Sequence, residues 1–269
     1  MPLPTPIPVT PLDSIVTAGG IPLPEEPLFE LSKGKPKALL DFAGKPMIQW
    51  VLDALSASPL INRVVIVGLP PFTDIHCSHS LSIIESNGSI LGNLQAGVRE
   101  LIRQGNITEK VLAVSSDVPA ITGEMIDWLV HSVSQTDHDL YYNLITREIM
   151  ETRFPKSNRT YIRLKGMEIC GGDVNAFDHR LIFQKKELFE EIINSRKNPI
   201  KQASILGFDT LFLLLIRQMT LHQAEINISR KIGSRCRAIS CPYAELGMDV
   251  DKPHQYSQLI SSFHMREKK

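Results

Sequence analysis

The sequence carries no excess charge of either sign, because Lys plus Arg and Asp plus Glu each number 29 among its 269 residues. A chain without a global basic field has no general means of attracting nucleic acid, so any polyanion must be bound at a local site. Long hydrophobic runs are also missing, since the longest, Leu211 to Ile216, is far shorter than the ~20 residues that a membrane-spanning helix needs. These absences predict a protein that binds neither nucleic acid nor a membrane.

Cysteine is scarce, and the four cysteines, Cys77, Cys170, Cys236 and Cys241, form no CxxC pair. Free thiols in a reducing compartment are the simplest explanation of cysteines scattered in this way. Residues 1–12 contain neither a basic segment nor a long apolar segment, so they do not have the pattern of a signal peptide. Their alternating prolines favour an extended arm. We therefore expect a soluble, cytoplasmic protein.

Strand and helix patterns alternate over the first half of the chain. Short apolar runs that stop at glycine or a polar turn predict buried strands, and apolar residues spaced along one face predict the helices between them. The strands are predicted at Ser14–Thr17, Arg63–Gly68 and Val111–Val114, and the helices at Met47–Leu55, Ile90–Ile102 and after Thr122. This order predicts an α/β, Rossmann-like fold in which helices flank a mostly parallel sheet.

The pattern changes near residue 139, although 43% hydrophobic residues suffice for a single domain over residues 13–269. An insert near residues 139–235 is predicted to begin as a small antiparallel hairpin and to continue as helices. The hairpin strands are expected at Leu140–Thr146 and Thr160–Leu164 around a turn at Pro155–Asn158, the helices at Leu181–Asn194 and Ile205–Ala224, and a last strand near Arg237–Ser240.

A glycine turn follows the first predicted strand. Gly19 and Gly20 allow the backbone to approach a ligand closely and to present amide N–H groups to it, which suits phosphate oxygens. Lys37 offers the compact positive charge that a polyphosphate attracts. Taken alone, the same glycines also fit an ordinary tight turn between a strand and a loop.

Three aspartates stand where a cation is expected. Asp117 follows the strand at Val111–Val114, and ligands of open α/β sheets bind at the carboxyl ends of parallel strands. Asp249 and Asp251 point to the same side if their segment is extended, and paired carboxylates repel unless a cation lies between them. Carboxylates of this kind suit Mg²⁺. The alternative is that all three are solvated or capping aspartates in turns.

Several of these segments together resemble one family. Ala18-Gly19-Gly20, the Pro36–Leu40 stretch PKALL and the Gly44–Met47 stretch GKPM resemble the start of the nucleotidyltransferase superfamily that includes molybdenum-cofactor guanylyltransferases and sugar-1-phosphate nucleotidylyltransferases. Asp249–Pro253 resembles the closing DVDTP segment of that family. The resemblance implies that Ala18, Gly19, Gly20 and Lys37 hold the phosphates of an NTP. It also implies that Asp117 and Asp251 bind magnesium and that Lys37, Asp117 and Asp251 are catalytic.

The resemblance also implies the residues for the other two parts of the substrates. A nucleobase is expected beside Ser89, Asn93 and Gly97, although a helix N-cap and a packing glycine explain two of these positions equally well. The acceptor is expected beside Gly172, Asp173 and Asn175. The implied partners are therefore an NTP and a small phosphorylated acceptor. The oligomeric state stays open.

One departure from the family pattern bears on the activity. The family carries an arginine a few residues after the glycines, whereas this chain has no arginine there and reaches its first basic residue at Lys33. The expected activity is Mg²⁺-dependent transfer of a nucleoside monophosphate to the acceptor, with release of pyrophosphate. Two alternatives stay open: a glycosyltransferase that uses the Asp-x-Asp pair, and a nucleotide-binding module without catalysis.

Overall fold

A nine-stranded sheet forms the centre of the molecule in a computed structural model that describes residues 9–184, 186–195 and 198–266. Residues 1–8, most of the predicted N-terminal arm, lie outside the described residues. The strands are β1 (Leu12–Thr17), β2 (Asp41–Phe42), β3 (Lys45–Pro46), β4 (Ile61–Val67), β5 (Ser80–Ile84), β6 (Lys110–Ser115), β7 (Leu140–Thr146), β8 (Ile162–Leu164), β9 (Met167–Gly171), β10 (Val174–Asp178) and β11 (Cys236–Ser240). Strands β2 and β3 form a separate small antiparallel sheet.

Helices cover both faces of this sheet. They are α1 (Phe29–Ser32), α2 (Met47–Ala57), α3 (Ile90–Arg103), α4 (Gly123–Ser134), α5 (Arg147–Arg153), α6 (Lys186–Asn194), α7 (Pro199–Leu206), α8 (Phe208–Leu215), α9 (Leu221–Ile232) and α10 (Pro253–Arg266). Short 3-10 turns lie at Lys37–Leu39, Leu181–Phe183 and Ala244–Gly247. Among the described residues, no helix is both long enough and apolar enough to cross a membrane.

The strand order confirms the α/β prediction. It runs β5-β4-β1-β6-β10-β7-β9-β8, with β11 beside β7. Strands β5, β4, β1 and β6 form a parallel block, whereas β10 is antiparallel to both of its neighbours. The central strands are buried on both faces, as Ile15 and Val16 of β1 show, which explains their uninterrupted apolar runs. The carboxyl ends of four parallel strands therefore meet at one edge of the sheet.

The predicted hairpin is wrong in its pairing. Strand β7 has the expected bounds, but the Thr146 hydroxyl accepts a hydrogen bond from the backbone N–H of Ile149 and starts helix α5 there. The hairpin instead joins β8 to β9 through Gly166, whose φ is +79°. Strand β7 pairs with β9, β10 and β11, so it belongs to the central sheet.

The single helix predicted over Ile205–Ala224 is also wrong. Gly207, with φ of +130°, separates α7 from α8, and Arg217 has φ of +57° after α8 ends. Thr220 then begins α9 with a capping box, in which its side chain and that of Gln223 bond each other's backbone N–H groups. The Thr-x-x-Gln pattern is the sequence signal for this break.

Gly97 packs helix α3 closely against the sheet, which is the role that the sequence left open for it beside contact with a nucleobase. A Cβ at this position of α3 would lie 2.7 Å from a side-chain carbon of Ile15 in β1. Such a distance is shorter than any normal carbon–carbon contact, so glycine is needed for the helix to lie close to the sheet. A side chain at position 97 would therefore point into the core.

Candidate active site

The candidate site lies at the edge where β1, β4 and β6 end. The backbone N–H of Ala18 donates to Val67 O at 2.8 Å, and that of Ser116 donates to Thr17 O at 3.1 Å. These bonds extend the sheet ladder by one residue past each strand, so the glycine turn and Asp117 start from fixed positions. Asp117 is buried in this setting.

The glycine turn and the Lys37 segment are joined directly. The backbone N–H of Lys37 donates to Gly20 O at 2.8 Å. Gly20 is exposed, and a Cβ built there would touch nothing within 4 Å. Gly19 lies against the side chains of Ser86 and Asn93. The turn therefore has one open side for a ligand and one side packed against the loop before α3.

Gly68 holds the turn from the β4 side, and the sequence analysis did not single it out. Its φ is +118°, and a Cβ there would lie 2.2 Å from the backbone nitrogen of Gly19. No side chain fits at that distance. Its position directly after a buried strand was the available signal, but that signal also fits an ordinary strand end.

The three aspartates lie together. Asp117, Asp249 and Asp251 each offer a carboxylate oxygen, and these oxygens lie within 4.8 Å of one another. The backbone N–H of Val250 donates to Asp117 O at 3.0 Å, which fixes the two segments side by side. The convergence expected from sequence is therefore present in the geometry, including Asp249.

The last helix anchors the Asp251 segment. The backbone N–H of Asp251 donates to the Gln255 side chain at 3.0 Å, and the Tyr256 hydroxyl donates to Asp41 O at 2.8 Å. The Tyr256 ring also packs edge-on against Phe42, with 5.6 Å between ring centroids. These contacts join the end of the described chain to the strand that follows Lys37.

Lys37 links two of the carboxylates. Its Nζ forms ion pairs with Asp117 Oδ2 and with Asp251 Oδ1, the latter at 2.6 Å. Burial opposes the charged form of Lys37, but the two carboxylates outweigh it and raise the pKa of the lysine. Lys37 therefore carries a positive charge throughout the physiological pH range.

Arg159 is a second basic residue of the site, and the sequence analysis missed it. Its guanidinium forms ion pairs with Asp249 and, at 3.4 Å, with Asp173, and it donates to Gly171 O at 3.2 Å. Burial opposes its charge, but Asp173 and Asp249 outweigh this effect and raise its pKa. Arg159 follows a stretch interpreted only as a polar turn, and nothing in its spacing distinguishes it from a surface arginine.

The two aspartates beside Arg159 are harder to ionise than usual. Burial raises the pKa of Asp173 to about 6; Arg159 opposes this increase, whereas Asp117 and Asp251 add to it. Burial and the Asp173 carboxylate likewise raise the pKa of Asp249, again against the effect of Arg159. The site therefore concentrates negative charge that its two basic residues only partly balance.

Replacement of Arg159 by methionine is expected to destabilise the fold by about 3 kcal/mol, because removing one partner of a buried ion pair leaves the other uncompensated. The Arg159 side chain is 15% exposed, and it is the cation shared by Asp173 and Asp249. Urea unfolding measures the change. Arg163→Met is the matched control: that side chain is 52% exposed and pairs with Glu168, so we expect a loss below about 1 kcal/mol. If the two variants lose the same free energy of unfolding, Arg159 has no structural role beyond that of a surface arginine.

The donor set fits a divalent cation. Asp117 Oδ1 is buried and has no hydrogen-bond partner among the described residues, and such an orphaned atom is costly unless a ligand satisfies it. Hard cations take oxygen ligands, and carboxylates are their usual protein donors. The four aspartates outnumber Lys37 and Arg159 two to one. The described residues thus contain both the ligand atoms and the excess negative charge that a divalent ion needs.

The three residues expected beside the acceptor lie where β9 ends and β10 begins, and they pack closely against their neighbours. A Cβ at Gly172 would lie 2.8 Å from the Asn143 side chain, so this glycine is required by packing. The Asn175 side chain accepts from the backbone N–H of Asn143 and donates to Gly172 O, so both of its ends are engaged. Asp173 stands beside Arg159 and the other acidic residues. Of the three expected acceptor residues, Asp173 therefore has the geometry best suited to substrate contact.

Local structure also explains part of the arrangement of the residues expected beside the nucleobase. Ser89 is exposed, and its side chain caps α3 by accepting from the backbone N–H of Gly92. Asn93 is buried, and its Oδ1 accepts from the backbone N–H of Asn87 at 2.6 Å. The Asn93 Nδ2 atom lies beside Gly19. Asn93 thus connects the loop before α3 to the glycine turn.

Solved structures of other proteins share this fold. A hypothetical transferase from Thermus thermophilus is 30% identical, with a TM-score of 0.77, over 92% of this chain and all of that one. A CMP:2-keto-3-deoxy-manno-octonic acid synthetase, solved in complex with CTP, gives a TM-score of 0.56 over 96% of this chain and 99% of that one. Its 11% identity shows a common fold alone.

The chain belongs to the family of MobA-like NTP transferase domains, whose sequence profile matches residues 32–193. The probable molybdenum cofactor guanylyltransferase of Pyrococcus horikoshii is 30% identical over 99 residues, which make up 36% of this chain and 47% of that protein. This match thus spans about half of the relative's length. The resemblance to nucleotidyltransferases inferred from sequence is confirmed. The profile match includes Lys37 and Asp117, whereas Gly19, Gly20 and Asp251 join them through the geometry of the fold.

Proposed function

We propose that this protein is a nucleotidyltransferase that transfers a nucleoside monophosphate from an NTP to a small phosphorylated acceptor and releases pyrophosphate. The observation that carries the proposal is the convergence of Lys37, Asp117 and Asp251 beside the Gly19–Gly20 turn. Lys37 and the two aspartates come from three separate segments, and their meeting at the carboxyl edge of a parallel sheet has the form of a ligand site.

The proposed roles follow from the positions of the groups. The open side of Gly19 and Gly20 presents backbone to the triphosphate, and Lys37 neutralises charge on the leaving pyrophosphate. Asp117 and Asp251 would hold Mg²⁺, with Asp249 beside them, and the bound ion supplies positive charge to the reacting phosphates. A phosphate acceptor is already ionised at neutral pH, so this chain needs no side-chain base to activate it.

The remaining substrate contacts are assigned by position. Asp173 lies on the strand end proposed for the acceptor, and Asn93 lies between the glycine turn and the loop proposed for the nucleobase, beside Ser89. The loop arginine that the family resemblance implies has no counterpart here, and Lys33 is the first exposed basic residue of that loop. We further propose that the protein works in the cytoplasm on small molecules.

A pyrophosphate-release assay tests the proposal. Each of the four common NTPs is incubated with Mg²⁺ and with a panel of sugar phosphates and phosphorylated pterin-type acceptors. GTP with a pterin-type acceptor comes first, because the Pyrococcus horikoshii relative is described as a molybdenum cofactor guanylyltransferase. Pyrophosphate formed only when NTP and acceptor are both present is the expected result. Release of nucleoside diphosphate from a nucleotide-sugar favours a glycosyltransferase, and NTP binding without turnover across the panel favours a non-catalytic module.

A further inference from the structure

Lys37 occupies one oxygen of each of the two carboxylates that would hold the proposed metal ion. Its Nζ contacts Asp117 Oδ2 and Asp251 Oδ1, and both carboxylates belong to the three-aspartate cluster. A divalent ion bound by the same two side chains would lie next to the ammonium group. Two cations that close repel strongly in a partly buried site, so the lysine and the metal ion cannot both keep these positions.

We infer that Lys37 is a built-in counter-cation that holds the carboxylate site together without metal and must leave Asp117 and Asp251 before a divalent ion binds there. This inference rests on the proposed function, because it concerns the same metal site. It assigns Lys37 a second role, as a competitor of the metal ion, in addition to contact with the nucleotide.

The two basic residues of the site differ in how easily they are displaced. Arg159 is held by two carboxylates and by Gly171 O, in a fork whose geometry is fixed. Lys37 has a flexible four-carbon stem and a point charge, and its partner Asp251 has a side chain that is 47% exposed. Lys37 is therefore the cation that the metal ion displaces, while Arg159 keeps Asp249 and Asp173 in place.

The attachment of Lys37 determines where its ammonium group goes after displacement. Its backbone N–H stays bonded to Gly20 O, so the side chain swings from a base fixed beside the glycine turn. A phosphate bound on the open side of Gly20 would offer the displaced ammonium group a new partner. Nucleotide binding would draw Lys37 away from the aspartates and free them for the ion, so nucleotide and metal would favour each other's binding.

Binding of Mn²⁺ to the nucleotide-free protein tests the inference. Free Mn²⁺ is followed by its electron paramagnetic resonance signal during titration of wild-type protein, Lys37→Met, Lys37→Gln and Lys35→Met. Loss of the competing charge at Lys37 is expected to tighten Mn²⁺ binding by about tenfold or more. Lys35→Met removes an equal charge from an exposed position on the same loop and is expected to leave the affinity unchanged. Mn²⁺ affinity that is equal or weaker in a folded Lys37 variant overturns the inference.

A measurement on the wild-type protein covers the case in which neither Lys37 variant folds. Acetylation of lysines by an amine-reactive ester is quantified by mass spectrometry with and without Mn²⁺. Release of Lys37 from its ion pairs makes its labelling rise several-fold when Mn²⁺ is added, whereas Lys35 stays constant. Unchanged labelling of Lys37 at saturating Mn²⁺ counts against displacement. If Lys37 is not displaced, the wild-type protein can still release pyrophosphate. The displacement of Lys37 and the proposed function can therefore fail independently.

Discussion

Replacement of Asp117 by asparagine is expected to reduce pyrophosphate formation about a thousandfold, at the upper end of what one electrostatic group contributes to catalysis. Asparagine keeps the shape of the side chain but removes the negative charge that pairs with Lys37 and that would hold the metal ion. The orphaned Oδ1 atom of Asp117 is the part of the carboxylate that lacks a protein partner. The loss should therefore lie mainly in kcat, with a smaller change in overall stability.

The assay compares kcat of the wild-type protein, Asp117→Asn and Asp137→Asn with the same NTP and acceptor. Asp137 is a suitable control because its side chain is 73% exposed and it precedes β7, at the end of that strand away from Thr146. Asp137→Asn should keep full activity. If Asp117→Asn turns over at the wild-type rate while circular dichroism shows a native fold, Asp117 has no part in the reaction.

Replacement of Gly68 by alanine is expected to destabilise the protein by about 3 kcal/mol and to abolish NTP binding, because it combines backbone strain with a clash in a packed region. The added Cβ would lie 2.2 Å from the nitrogen and 2.4 Å from the Cα of Gly19. Both atoms directly follow Ala18, whose N–H donates to Val67 O, so moving them strains the end of the β1–β4 ladder. The glycine turn would shift away from Lys37 as a result.

The variant Gly105→Ala separates the effect of backbone strain from the effect of a steric clash. Gly105 also has a positive φ, +85°, but a Cβ there meets nothing within 4 Å, so we expect a loss of only about 1 kcal/mol from the left-handed backbone. Urea unfolding measures both stabilities, and the thermal shift on adding NTP measures binding. Equal losses in the two variants, or a normal NTP shift in Gly68→Ala, refute the proposed contact between β4 and the glycine turn.

Much of the fold could be predicted because the central strands are buried on both faces. Continuous apolar runs such as Val64–Val67 have few other interpretations, and glycine or polar residues mark their ends. Apolar patterns did not predict the structure after residue 146, because N-capping side chains set where the helices begin there. Thr146 starts a helix where alternation alone predicted a hairpin, and the Thr220 capping box splits a region whose apolar content resembled one long helix.

The sequence predicted only those residues of the candidate site whose type and position by themselves indicate a ligand. Asp117 and Asp251 are carboxylates at marked positions, and their meeting follows from parallel strands having their carboxyl ends at one edge. Gly68 and Arg159 give no such indication, because their importance comes from contacts with distant segments: the backbone of Gly19 for Gly68, and two aspartates for Arg159. The role of Gly97 stayed open for a related reason, since a glycine on a helix does not show in sequence whether it faces a ligand or the core.

The contact between Lys37 and Asp251 joins residues that are 214 positions apart. Contacts of such long range are the slowest to form, because loop-closure entropy must be overcome before they stabilise anything. The parallel block β5-β4-β1-β6 contains shorter-range contacts, so we expect it to pair before the segment that follows residue 247 docks. The three-aspartate cluster is complete only after that docking, because Asp249 and Asp251 both belong to the late segment.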